Sequence, residues 1–111
     1  MTGRDIEVDV RQILGDTGST KKWSPDTIII FINQATKEIT NRWSDACIKT
    51  DGSYLTTVVP IEAMADELSI TDYWKQRVTD YVASKCYEVK ASGKENRERA
   101  DIYWNKFIKR D

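Results

Sequence analysis

Apolar residues recur along this chain with the spacing of a helix in four stretches, and lose that spacing in a fifth. From Asp5 to Leu14, Ile6, Val10, Ile13 and Leu14 share one helical face, which predicts a short amphipathic helix closed by Gly15. A polar run of turn formers, Asp16 to Lys22, follows. The second helix is expected from Pro25 to Arg42, with a stripe of Ile28, Phe31, Ile32, Ala35 and Ile39. Its start is strongly written. Ser24 can accept from a free backbone N–H of the first turn, Pro25 suits the first helical position and Asp26 favours the positive end of the dipole. Trp23 and Ile28 have the spacing of a hydrophobic staple, so Trp23 reads as a structural residue. Ile28-Ile29-Ile30-Phe31-Ile32 leaves no polar side for a turn and a half. That predicts a helix buried on every side, by its own chain or by a partner, around which the domain is organised.

Helical spacing stops at Asn41 to Asp45. From Cys47 to Val59 the residues become Ile, Thr, Tyr, Leu and Val around Asp51-Gly52, a hairpin signal with short strands expected at about Cys47–Thr50 and Tyr54–Val59. Pro60 ends it, and Ile61 to Leu68 reads as a helical turn or an irregular link. A third helix should start at Thr71 or Asp72, carry Trp74, Val78, Tyr81, Val82 and Val89 with Cys86 on the flank, and end near Ala91-Ser92-Gly93. The last helix, about Glu95 to Lys109, sets Ala100, Tyr103, Trp104 and Phe107 on one face, widened by Ile108. The short turn between these two makes them an antiparallel pair. The expected fold is therefore mainly α: a small bundle of about four helices with a central β-hairpin or extended loop, in a single domain over residues 1–111.

Composition narrows the class. With 40% hydrophobic and 32% charged residues the chain reads as a soluble globular domain, and no apolar run approaches the roughly 20 residues that span a bilayer. Met1 to Asp5 has no apolar signal core, so the expected compartment is the cytoplasm. Cys47 and Cys86 lack any paired spacing and read as small buried hydrophobes instead of a disulfide. A net charge of -1 gives no broad positive field for nucleic acid. The charge is uneven, however: residues 1 to 84 carry 9 basic and 13 acidic side chains, residues 85 to 111 carry 8 and 5. The C-terminal part is the positive pole, either a solvated helix surface or an end that meets an acidic partner.

The chain has no histidine, which removes the commonest general base, the usual Ser and Cys nucleophile arrangements and most zinc sites. No Gly-rich phosphate loop is present, and the carboxylates are scattered. Asp16-Thr17-Gly18-Ser19 matches the aspartic-protease tetrapeptide. In those enzymes the string sits among strands, whereas here a helix and Gly15 precede it, so it reads as a polar loop. Tyr103, Trp104 and Phe107 could stack on bases, but their helical spacing favours packing. No catalytic residue, metal ligand or cofactor is expected, and the chain does not read as an enzyme.

Val10-Arg11-Gln12-Ile13-Leu14, Asp16-Thr17, Lys22-Trp23-Ser24 and Phe31-Ile32-Asn33-Gln34-Ala35-Thr36-Lys37-Glu38-Ile39 resemble the small helical head-to-tail adaptors of tailed bacteriophages. Leu68 to Tyr73, Thr79-Asp80-Tyr81-Val82 and Glu95 to Ala100 leading to Tyr103 and Phe107 look like the closing helix pair of that family. The centre, Cys47 to Glu67, is shorter than in many relatives. The resemblance implies a structural protein of the virion neck, assembled from the host cytoplasm. It implies a homo-oligomeric ring of about twelve subunits under the portal protein, handing the channel on to a downstream tail or nozzle protein. DNA would pass through without specific recognition, and no membrane is involved. It also implies portal docking by the C-terminal segment, here Phe107, Ile108, Lys109 and Arg110. The alternative is a small helical regulator that binds nucleic acid, which needs a basic recognition face.

Overall fold

A computed structural model describes residues 1–16, 18, 22–89 and 94–109. It is mainly α, with four helices: α1 (Gly3–Leu14), α2 (Pro25–Arg42), α3 (Lys75–Val89) and α4 (Lys94–Ile108). One-turn 3₁₀ segments, Ser44–Cys47 and Asp72–Trp74, close α2 and lead into α3.

α1 begins earlier than periodicity suggests, because its first turn is capped twice. Thr2 and Asp5 form a capping box, each side chain taking the other's backbone N–H. The N–H groups of Gly3 and Arg4, which no helix can satisfy internally, donate to the carbonyls of Asp66 and Met64 at 3.1 and 2.8 Å. The link from Ile61 to Leu68 is thus shaped to receive the start of α1. Gly3 permits that approach: a Cβ there would lie 2.7 Å from Ile61 Cδ1 and 3.2 Å from the Met64 carbonyl oxygen. At the other end Gly15 takes the left-handed conformation, φ 67°. α2 starts as expected, with the Ser24 hydroxyl accepting from the Thr27 N–H at 3.1 Å.

The central helix is α3, not α2. α3 packs against α1, α2 and α4, and it buries Val78 to Ser84 without interruption, then Cys86 and Tyr87. Small side chains, Ala83, Ser84 and Cys86, let neighbours approach its surface. Its polar members are satisfied: Thr79 Oγ1 donates to the Lys75 carbonyl at 2.9 Å and Ser84 Oγ to the Ala100 carbonyl on α4 at 2.8 Å. α2 buries Ile28, Ile32, Ala35 and Ile39, but Ile30 is 55% exposed, so this chain alone does not bury that helix on every side. Val89, placed in the α3 stripe by spacing, is also exposed. The expected end of this helix at Ala91-Ser92-Gly93 lies outside the described residues.

The centre is an extended loop; no strand occurs among the described residues. A single antiparallel bridge joins Ile48 and Tyr54 around a turn in which Gly52 has φ 86°. The ladder ends after Leu55 N–H donates to the Cys47 carbonyl at 2.6 Å. One arm coils into the Ser44–Cys47 turn, while the other is drawn off toward α2. There the Asn33 amide donates to the Ile61 carbonyl and accepts its N–H, both at 2.9 Å.

Candidate functional site

The end of α4 is where the C-terminal docking candidates fall. Phe107 is fully buried, with its ring edge-on to Trp43 at 5.5 Å and to Tyr81 at 5.1 Å. It anchors α4 to the body and presents nothing to a partner. Ile108 is 36% exposed, and Lys109 is exposed. Arg110 lies outside the described residues. Of the expected docking set, the described structure therefore brings only Ile108 and Lys109 to the surface.

Around Phe107 the structure gathers cations and rings that lie far apart in the chain. Arg77 on α3 stacks over Trp43 at 4.3 Å and donates through Nη1 to the Phe107 carbonyl at 2.5 Å. A cation thereby caps the negative end of α4. Arg42, at the last turn of α2, lies over Trp104 at 5.3 Å and pairs with Glu38 at 2.6 Å. Beside this cluster runs an open groove of about 410 Å³, walled by Trp43, Trp74 and the exposed Tyr73 and edged by Arg42 and Arg77. Neither Trp43 nor Arg77 stands out in the sequence: their partners are 30 or more positions away, and no local spacing announces them.

Tyr103 and Trp104 are half-buried. Tyr103 stacks on Tyr87 at 5.9 Å and Trp104 packs beside Phe107 at 5.3 Å. Both rings are held in intramolecular contacts, as their spacing suggested.

Asp16 is buried and tied to an arginine. Its carboxylate accepts from Arg11 Nη1 at 2.6 Å and from the Lys22 N–H at 2.9 Å, while Arg11 also holds Glu7 at 2.9 Å and donates to the Trp23 carbonyl at 3.0 Å. This network ties the end of α1 to the residues just before α2 and leads Trp23 into the core, where its Nε1 donates to the Cys86 carbonyl. The arrangement is structural: the Asp16 carboxylate is committed to the Arg11 guanidinium and to the Lys22 backbone N–H. The i,i+4 spacing of Glu7 and Arg11 was the available signal for it. Glu62 is exposed, and its backbone N–H donates to the Asp66 carboxylate at 2.9 Å.

Cys86 is fully buried, and burial pushes its thiol up to about 12. Both cysteines are free. Among the described residues no group of three His, Cys, Asp or Glu side chains is placed to hold a metal ion, and no helix is long and apolar enough to cross a membrane. Asp80, on the hub helix, is 4% exposed. Desolvation raises its pKa, opposed by the hydrogen bond from Gln76 at 3.1 Å and by the nearby charges of Lys106 and Arg77.

No protein-family model, curated protein or solved structure matches this chain.

Proposed function

We propose that this chain is a structural head-to-tail adaptor of a tailed bacteriophage, docking as a ring under the portal and extending the DNA channel toward the tail. The reading rests on the resemblance of its segments to that family. One observation carries it further: the segments that bear the resemblance form the helices of a single packed body, from which apolar side chains project outward. Val8, Ile30, Tyr54, Val59, Tyr73, Val89 and Ile102 are each at least half exposed. In a ring these side chains would be available to neighbouring protein subunits. Ile108 and Lys109 at the end of α4 are the accessible candidates for the portal contact.

The test is sedimentation of the purified chain, alone and mixed with the portal protein of its own virus, with mass and stoichiometry measured. The expected result is a closed complex with about one adaptor per portal subunit. Failure to associate under packaging-like salt would sink the reading. A salt-sensitive shift with nucleic acid would then favour the regulator.

A further inference from the structure

The central loop carries an extended segment with one side unpaired among the described residues. From Tyr54 to Pro60 the backbone runs without helix, turn or bend apart from the bridge at Tyr54. Its inward side is pinned at two odd positions: Leu55 N–H donates to the Cys47 carbonyl, and Val59 exchanges both its N–H and its C=O with the Ser69 hydroxyl at 2.9 and 3.1 Å. Beyond Val59, Asn33 grips Ile61. With the odd positions directed inward, the pleat turns the N–H and C=O of Tyr54, Thr56 and Val58 outward. Among the described residues none of these backbone groups makes a hydrogen bond; the bonds that flank the bridge belong to Lys49 with Ser53 and to Leu55 with Cys47.

An edge of this kind is usually guarded by charges, proline or a covering element. Here the guard is missing until Pro60. Gly52 to Ile61 contains no charged residue, in a chain that is 32% charged. Charge depletion marks the core of protein interfaces, and Tyr, Thr and Val are the residues that strands favour.

We infer that this edge pairs with the same segment of a second copy, as an antiparallel two-stranded ribbon on a two-fold axis through Thr56. The register follows from the geometry. Thr56 faces Thr56 of the other copy, and Tyr54 faces its Val58, so every outward N–H meets an outward C=O. The resulting Thr–Thr and aromatic–β-branched pairs are among those that stabilise sheets, and no like charges oppose one another. Tyr54 is 72% exposed in the single chain. In the pair its ring lies over Val58 of the other copy, beside a groove of about 530 Å³ that Val58 and Pro60 form with Asn33, Lys37 and Asn41 of α2. That groove holds no side chain in the single chain and has room for a phenol. The contact is isologous and closes on itself, so it does not rest on the adaptor reading, which needs a head-to-tail ring.

Sedimentation equilibrium of the full chain over rising concentration, together with amide exchange followed by NMR, tests the pairing. The expected result is a reversible dimer in which the amides of Tyr54, Thr56 and Val58 slow while that of Thr57 does not. Thr56→Pro removes the central donor and should abolish the dimer with helical circular dichroism unchanged. Tyr54→Ser, which leaves the edge intact, should weaken the dimer. A monomer at every concentration, or an oligomer in which Thr56 and Val58 exchange as fast as Thr57, overturns the inference. So does a dimer that survives in folded Thr56→Pro. If that variant loses its helical signal, the alternation of exchange in the unaltered chain decides.

Discussion

α2 and α3 differ in opposite directions from what their sequences advertise. α2 opens with five apolar residues in a row, yet Ile30 is 55% exposed. α3 is sprinkled with Thr, Asp, Ser and Lys, yet it is buried along most of its length because every other helix packs against it. Apolar content says what a helix can afford to bury, whereas position in the bundle decides what it does bury. A polar helix can hold the central place when its hydroxyls find backbone acceptors, as Thr79 and Ser84 do, and when small residues let neighbours close in. The surplus apolar surface of α2 remains available for another protein.

The strongest way to break this contrast lies within α2 itself. Ile32 is fully buried, and Ile32→Ala should cost about 2 to 5 kcal/mol through lost burial and the cavity left behind. Ile30→Ala, two residues away, should stay within about 0.5 kcal/mol in the isolated chain. Urea denaturation of the two variants side by side gives both values. Equal losses would mean that the apolar run is buried all round, as its sequence suggests.

A smaller effect is expected at the hub. Ser84 sits where α3 meets α4 and is 2% exposed. Ser84→Leu replaces a satisfied hydroxyl with a bulkier side chain at a close crossing, for which overpacking costs of about 1 to 3 kcal/mol are typical. A shift of the denaturation midpoint by that amount, at unchanged slope, is the expected result. A stabilised variant would show that the crossing has spare room and that α3 is not tightly enclosed.

Much of the helical skeleton was legible. α2 was readable to its ends because Ser24-Pro25-Asp26 writes its start locally, and α4 because its stripe is regular. The hub role of α3 was not legible, since its burial depends on Ser84 meeting Ala100 and on Tyr87 donating to the Ile13 carbonyl, contacts set by the packing of distant helices. The hairpin signal at Asp51-Gly52 was a true turn signal. Its ladder was cut short by the pull of Asn33 and Ser69 on one arm, which no local pattern reveals. The C-terminal docking set was legible only in part: spacing placed Phe107 on the packed face of α4 and Ile108 at its margin, and the structure buries the first and exposes the second.

The smallest effect concerns the charge that the hub helix carries. Desolvation raises the pKa of Asp80 in the folded chain, so the folded state holds that proton more tightly than the unfolded state. Its contribution therefore favours folding below the ordinary carboxylate pKa of 3.8 and is lost as pH rises through the raised value. At neutral pH the buried carboxylate is a burden, lightened by Gln76 and by the charges of Arg77 and Lys106. Asp80→Asn keeps an acceptor for Gln76 and removes the charge, so it should help stability more at pH 7 than at pH 3. Thermal unfolding of both proteins across that range measures the difference. A variant whose relative stability is flat with pH would mean that the Gln76 hydrogen bond and the nearby charges of Lys106 and Arg77 fully offset the desolvation. α3 would then hold its central place through charge compensation, and the satisfied hydroxyls would be the lesser part of its tolerance for burial.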